Sequence, residues 1–484
     1  MTANKNMTKD FENWIDHYLN FEKHPQKNIF WLETMQFFCA LLDHPELSSK
    51  SIHIAGSKGK GSVSAFISSI LEAAGYKTGL YTSPHILDFA ERVKSAHHFF
   101  REEIYKESAK ELEAAVRSVK DEDLPKQRAI TWFELVTLYA FLCFRRYGAD
   151  WSVYEVGLGG RLDATNVIRP EVCCITSLEK EHTEYLGNTI EEIAREKGGI
   201  IKEGVPVVLF EQTFSHGEAK TVIEKIATEK HAPLIYVPDV ISSINTSYKR
   251  TEDGKIKMRI EISSSYFARK IETDLQLLGE IQAQNAAMAA IAIKIALPNI
   301  REEIIEKGLA NAFLPARFEI ISPVPHYTKI PYLVIDGAHT VKSISFLLDT
   351  LKEFQSALST KQTVPIEQAM PGKTALLFGC AADKDVEDMA RELYPHFDCI
   401  TLTKPGSVKQ CDLERIKKAF TALENEDKKD TLECGENYED MIQRAFRKAN
   451  EKECPLVVAG SFYLAAEVKK FLQEKRLISS WHML

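Results

Sequence analysis

Ser51-Ile-His-Ile-Ala-Gly-Ser-Lys-Gly-Lys-Gly-Ser62 runs from an apolar stretch that reads as a buried strand straight into a loop punctuated by glycine and lysine. Behind it Val63, Phe66, Ile67, Ile70 and Leu71 recur at helical spacing, so strand, loop and helix are predicted in that order. This is the setting of a phosphate cradle. Gly56, Gly59 and Gly61 permit a tight turn with inward-facing N–H groups, and a helix starting near Ser62 adds the positive end of its dipole. In such a loop Gly56, Ser57, Lys58, Gly59, Lys60, Gly61 and Ser62 surround the phosphates of ATP, with Lys60 reaching the β- and γ-phosphates and the Ser62 hydroxyl a magnesium ion. The spacing G-x-x-G-K-G-S is shorter than the usual G-x-x-x-x-G-K-S, which leaves a structural alternative open: a glycine-rich turn with a surface lysine.

Thr78-Gly-Leu-Tyr-Thr-Ser-Pro-His85 reads as a second strand ending in a hydroxyl and an imidazole, where an open α/β sheet presents its chemistry. Trp151-Ser-Val-Tyr-Glu-Val-Gly-Leu-Gly-Gly-Arg161 runs a strand into Glu155 and then a glycine-rich loop. A carboxylate there costs desolvation unless something pairs with it. A magnesium ion beside a nucleotide would do so, and so would Arg161. A fourth strand, Val172 to Thr176, leads to His182, which is read as a site residue because it follows a strand of the same series. A helix over Ile190 to Lys197 and a strand over Val205 to Leu209 continue the alternation. Residues 232–273 read as β-rich structure at the rim. Two amino-terminal helices are expected on either side of a turn at Pro25, with Phe30 on an apolar face.

After the proline-punctuated connection at 321–331, strands and helices restart as a second doubly wound unit, with polar surface loops at 356–372 and 425–431. The expected fold is α/β: a P-loop ATPase domain with a mostly parallel sheet and amino-terminal helices over residues 1–320, and a smaller Rossmann-like α/β domain over 321–484.

Composition narrows the function. The 484 residues suffice for two or three domains, and 44 % hydrophobic with 27 % charged residues is an ordinary globular balance. A net charge of −8 argues against a sequence-independent nucleic-acid binder, which needs an excess of Lys and Arg. Nine cysteines without a C-x-x-C pair suit a reducing compartment. The amino terminus has no apolar signal region, and the longest apolar runs fall short of a membrane span. A cytoplasmic protein is expected.

Taken together, the motifs resemble the folylpolyglutamate synthase and dihydrofolate synthase family of the Mur ligase superfamily. The resemblance runs nearly end to end: Gly56–Ser62, Tyr81-Thr-Ser-Pro-His85 with Glu91-Arg92, Glu155–Asn166, His182-Thr-Glu-Tyr-Leu-Gly187, Ala194-Arg-Glu-Lys197, Gln284-Asn-Ala286, Ala316-Arg317, Asp336-Gly-Ala-His339, Asp383-Lys-Asp385 and Gly460-Ser-Phe-Tyr463. It implies an ATP-dependent ligase in which a pterin or folate carboxylate attacks the γ-phosphate and L-glutamate takes the acyl group. Lys60, Glu155, His182 and Lys197 are the implied catalytic residues. Two magnesium ions are implied, with Ser62, Ser83, Glu155 and His182 as ligands, and a monovalent cation is allowed. Asn285, Arg317 and Asp336 match nucleotide contacts. His339 and Ser461 match the glutamate side, and Thr131, Phe133, Glu134, Leu162, Asp163 and Ala164 the pterin side. Lys197 matches a position that the family carries as a carbamate (N6-carboxylysine); without that context it reads as a helix-surface lysine beside Glu196. A monomer is implied by analogy.

The chain departs from the family pattern at Lys58 (commonly Asn), Glu181 (Asp), Gly198 (Ala) and Thr340 (Asn), and Thr340 removes an amide donor near the glutamate or nucleotide. Two other readings stand beside the folate ligase. A Mur-type ligase on another carboxylate is expected to carry a further amino-terminal domain, where residues 1–55 precede the loop here. A catalytically silent nucleotide-binding protein would have no use for Glu155, His182, Lys197 and Asp336 together.

Overall fold

The computed structural model describes residues 8–20, 31–210, 217–251, 256–324, 326–359, 374–424 and 432–474. Seven strands build the first sheet: β1 (Lys50–Ala55), β2 (Thr78–Tyr81), β3 (Val93–Lys94), β4 (Trp151–Glu155), β5 (Val172–Ile175), β6 (Val207–Leu209) and β7 (Leu234–Tyr236). They lie in the order β3-β2-β4-β1-β5-β6-β7, all parallel except β3. β1, β4 and β5 are buried almost throughout because helices cover both faces; β5 is apolar without a break, while β1 and β4 set Ile52, Ile54, Val153 and Tyr154 beside the buried polar residues Ser51, His53, Ser152 and Glu155. Helix Lys60–Ala73 packs against helices Glu280–Ala296 and Glu302–Asn311 on one face. On the other, helix Trp132–Tyr147 buries an aromatic cluster with Phe11, Tyr81, Phe89 and Tyr105.

The rim is a three-stranded antiparallel sheet of β8 (Ile241–Arg250), β9 (Ile256–Ser264) and β10 (Ile271–Leu275). Alternation in β9 and β10 turns Met258, Ile260, Ile262, Ile271 and Leu275 inward. These side chains share one apolar cluster with Ile344, Leu348 and Phe354 of helix Val341–Ser359, so the small sheet ties the two halves together.

The second sheet comprises β11 (Glu319–Ile321), β12 (Leu333–Ile335), β13 (Ala375–Phe378), β14 (Cys399–Thr403), β15 (Leu432–Gly435) and β16 (Leu456–Ala459). Its order is β11-β12-β16-β13-β14-β15, parallel except for β11. β11 straddles the expected division at 320/321 because it pairs with β12. The helix over 341–359 runs on through the start of the first expected polar loop. The turn at Pro25, Phe30 and the segments 360–372 and 425–431 lie outside the described residues. No helix among the described residues is long and apolar enough to cross a membrane.

Candidate active site

β1 ends at Ala55, and the chain turns at Gly56 with φ +143°, a conformation that side chains other than glycine rarely adopt. A Cβ at Gly56 would lie 1.8 Å from Thr176 Oγ1 at the end of β5. The loop is stapled there: Ser57 N–H donates to Ser177 O (2.6 Å), and the Thr176 hydroxyl donates to Lys58 O (2.6 Å). Gly56→Ala is therefore expected to destabilise the protein by about 3 kcal/mol and to weaken nucleotide binding, as read by chemical denaturation and by ADP titration.

Lys60 Nζ donates to Gly56 O (2.9 Å) and Ser57 O (3.3 Å), so its ammonium lies against the turn. Gly56 O also accepts from Lys197 Nζ at 2.9 Å. Glu181 bridges two lysines, with Oε1 3.2 Å from Lys197 Nζ and Oε2 3.0 Å from Lys58 Nζ. Burial raises the Glu181 carboxyl, but Lys197, Lys58 and Lys60 outweigh it and hold it well below the usual range. Burial pushes Lys197 down to about 8, against the pull of Glu181.

Lys197 is 2 % exposed, which overturns the alternative of a helix-surface lysine beside Glu196. Glu196 pairs instead with Arg161 at 2.8 Å. That contact also removes Arg161 as the counterion of Glu155. Because the Arg161 pair is exposed, Arg161→Ala is expected to leave turnover within about twofold of the parent in a steady-state assay.

Glu155 closes β4 and is 5 % exposed. Its Oε2 accepts from Ser83 N–H (3.2 Å), and both carboxylate oxygens lie 3.6–3.7 Å from the place a Cβ on Gly61 would take. Burial raises its pKa, opposed by Lys60, the Ser83 N–H and Arg317. His182 faces the same space with φ +48°, its pKa lowered by burial against the pull of Glu181. Among the described residues no three His, Cys, Asp or Glu side chains converge as a metal cluster. The expected set contains two such side chains, Glu155 and His182, and two hydroxyls, Ser62 and Ser83. A buried carboxylate beside a phosphate loop suits a hard cation that keeps water and takes phosphate oxygens, so the residues fit magnesium.

Beside the loop, Asn285 on helix Glu280–Ala296 is buried, its Nδ2 donating to Gln282 Oε1 (3.2 Å). Its Oδ1 has no protein partner and lies 2.7 Å from the Cβ position of Gly59, a buried acceptor at the rim of the loop. Arg317 stands between Ala316 (φ +54°) and Phe318 (φ +44°), with its guanidinium 4.1 Å from the Phe462 ring centre. Asp336 accepts from the N–H groups of Phe318 and Ala338, at 2.7 Å each. His339 Nδ1–H donates to Gly337 O (2.8 Å); burial and the charge of Lys58 push its pKa down to about 4, so the ring is neutral near pH 7. The Ser461 hydroxyl accepts from Tyr463 N–H (3.0 Å) at the head of helix Phe462–Glu474.

The unusual residues have local explanations. The Thr340 hydroxyl accepts from Ser343 N–H (3.3 Å) and so caps helix Val341–Ser359. A Cβ on Gly198 would come within 2.8 Å of Ile223 and Ile226, so glycine lets helix Glu218–Glu229 pack closely. Lys58 and Glu181 are both longer than the common residues and meet in the ion pair described above.

At the positions expected to face the pterin, the two carboxylates are committed to neighbouring protein groups. Glu134 Oε2 accepts from Thr131 N–H and Oγ1 (2.8 Å each), its other oxygen pairing with Arg128. Asp163 accepts from the N–H groups of Gly157, Leu158 and Thr165, at 3.0 Å each. These residues hold the wall in place, while Phe133, Leu162 and Ala164 supply apolar surface to it.

Every expected site residue except Gly56 and Lys197 lines one cleft of about 570 Å³ between the two α/β units. Gly56 and Lys197 lie beneath its floor, joined to it through Gly56 O. Arg128, Tyr185, Lys342 and Lys384 also line it and were not singled out individually. For Lys384 the Asp383-Lys-Asp385 motif was a signal. Lys342 had none, since a lysine in the first turn of an amphipathic helix reads as surface.

Residues 54–293 match the family model described as Mur ligase middle domain, and residues 316–462 that described as Mur ligase, glutamate ligase domain. The dihydrofolate synthase/folylpolyglutamate synthase of Bacillus subtilis is 30 % identical over 475 residues, covering 96 % of this chain and 99 % of the relative. The Mycobacterium tuberculosis folylpolyglutamate synthase complexed with ADP and AMPPCP superposes with a TM-score of 0.78 at 25 % identity, covering 96 % of this chain and 98 % of that one. The Escherichia coli FolC in complex with DHPP and ADP gives a TM-score of 0.74 at 26 % identity, again over 96 % and 98 %. On its motifs, its fold and its near full-length similarity, the chain belongs to the dihydrofolate synthase/folylpolyglutamate synthase family of the Mur ligase superfamily.

Proposed function

We propose that this chain joins L-glutamate to dihydropteroate, to a reduced folate, or to both, in folate biosynthesis and polyglutamylation, driven by cleavage of ATP to ADP and phosphate. The observation that carries the reading is the convergence of Lys60 and Glu155 with Arg317 at the junction of the units and His339 and Ser461 of the second unit on one cleft. Binding of ADP, AMPPCP and DHPP by its relatives supports the same substrates here.

A carboxylate oxygen of the pterin substrate attacks the γ-phosphorus, and the bond to the bridging oxygen of ADP breaks. The glutamate amine then attacks the acyl carbon, and phosphate departs with that carboxylate oxygen as the amide forms and the amine loses its proton. Both partners of the first step are anions, so their approach needs cations. Lys60 and the loop N–H groups neutralise charge as it shifts to ADP. Arg317 acts from the opposite wall. Neutral His339 and the Ser461 hydroxyl line the space for the amino acid without adding charge beside its amine.

Magnesium, when bound, would screen the phosphates; Ser62, Ser83, Glu155 and His182 are the residues that would hold it. Lys197 is proposed to carry a carbamate, supported by its burial and by a pKa near 8, which leaves free amine for CO₂ near neutral pH. Nine free cysteines support a reducing, cytoplasmic setting.

The test is glutamate- and ATP-dependent product formation with dihydropteroate and tetrahydrofolate in parallel, with Lys60→Ala as control. Turnover of either assigns the substrate. Turnover of neither, with ATP still bound, overturns the folate reading.

A further inference from the structure

Lys342 lies in the first turn of helix Val341–Ser359, on the second unit's wall of the cleft, close in sequence to His339 and Ser343. Its ammonium pairs across the cleft with Glu179 of the first unit (Nζ to Oε1, 3.1 Å). Glu179 follows β5 and is tied to the phosphate loop: its N–H donates to Ser57 Oγ (2.9 Å), and Ser57 Oγ donates to its carbonyl (3.2 Å). Lys58 and Lys384 also line the cleft, but each meets a carboxylate of its own unit, Glu181 and Asp383. Lys342 is paired from the facing wall.

A cation at a helix amino terminus opposes the helix dipole, so its position needs an anion. In this structure the anion is a glutamate side chain, the same γ-carboxylate that the proposed amino-acid substrate carries. The pair is half-buried, with side chains 33 % and 17 % exposed, so an entering carboxylate can reach it and exchange for Glu179.

We propose that Lys342 is a specificity-determining residue that takes the γ-carboxylate of the incoming L-glutamate, and that Glu179 occupies this position until the amino acid displaces it. The assignment rests on the glutamate-ligase reading above. An amino acid without a second carboxylate would leave Lys342 with Glu179 and bind less well. Because the Glu179 backbone is hydrogen-bonded to Ser57 through its N–H and carbonyl, the released carboxylate belongs to a residue that stays fixed to the phosphate loop.

The test compares Lys342→Met, Lys342→Arg and Glu179→Gln with the parent enzyme, with L-glutamate and L-glutamine as amino acids. Lys342→Met is expected to raise the KM for L-glutamate roughly 10- to 100-fold, the range of a lost charge-assisted hydrogen bond, with the KM for ATP and for the pterin substrate within about twofold. Its preference for glutamate over glutamine should fall with it. Lys342→Arg should retain most of the preference. Glu179→Gln should move the other way and lower the KM for L-glutamate, because the competing carboxylate is gone. If the pair is a latch between the units and nothing more, Lys342→Met and Glu179→Gln will lower kcat and thermal stability alike and leave the preference for glutamate unchanged, which overturns the assignment. Parent enzyme that turns over no pterin substrate with glutamate would overturn the ligase reading instead, so the two failures are distinguishable.

Discussion

Lys60→Ala is expected to lower kcat by on the order of 10³-fold or more, the usual consequence of removing a preorganised cation from a phosphoryl-transfer site. Its hydrogen bonds run to two carbonyls of its own loop, Gly56 O and Ser57 O, and its remaining contribution is the charge it sets against the buried Glu155 and Glu181. Thermal unfolding should therefore stay within about 2 °C of the parent. ADP should still bind, held by loop N–H groups that the substitution leaves in place. Steady-state kinetics, calorimetry and ADP titration on one preparation check the three statements together. A variant that keeps its fold and a parent-like kcat would make Lys60 the surface lysine of a structural turn.

The second large effect is expected at Lys197. On the proposal that Lys197 orients a metal site, its removal lowers activity by about 10²-fold, so Lys197→Ala should lose that much. The loss alone does not say which form of the lysine acts, but rescue does. If the working form is the carbamate, small carboxylates such as acetate or formate will restore part of the activity. If the working form is the ammonium that pairs with Glu181 at 3.2 Å, ammonium or methylamine will restore it and carboxylates will not. The account predicts rescue by carboxylates and, for the parent enzyme, loss of activity in buffer freed of CO₂ and bicarbonate.

Much of this was legible in the sequence for a physical reason. Parallel strands covered on both faces carry an apolar centre, so β1, β4 and β5 stand out, and Lys60, Glu155 and His182 fall at or after their carboxyl ends. The edges were harder. β15 (Leu432–Gly435) holds Glu433 and a glycine, is half-buried along its length, and is a strand because its backbone pairs with β14. β3 has two residues and no periodicity to read.

Side-chain commitments were also hidden. Asp163 and Glu134 have the charge and position of substrate ligands, yet Asp163 spends its oxygens on neighbouring N–H groups and Glu134 divides its own between Thr131 and Arg128, a choice visible only in three dimensions. Thr340 reads as the loss of an amide donor, but its hydroxyl caps the helix that follows. The partnership of Lys342 with Glu179 joins residues from different units and leaves no trace in spacing.

The most direct test of the central claim follows an oxygen atom. Dihydropteroate or tetrahydrofolate labelled with ¹⁸O in the reacting carboxylate is turned over with ATP and L-glutamate, and the inorganic phosphate is analysed by mass. Attack of the carboxylate on the γ-phosphorus, followed by amide formation, transfers one ¹⁸O into each phosphate released, and the account predicts that result. Amide product accompanied by unlabelled phosphate would contradict it, because the carboxylate oxygen would then never have been bonded to phosphorus.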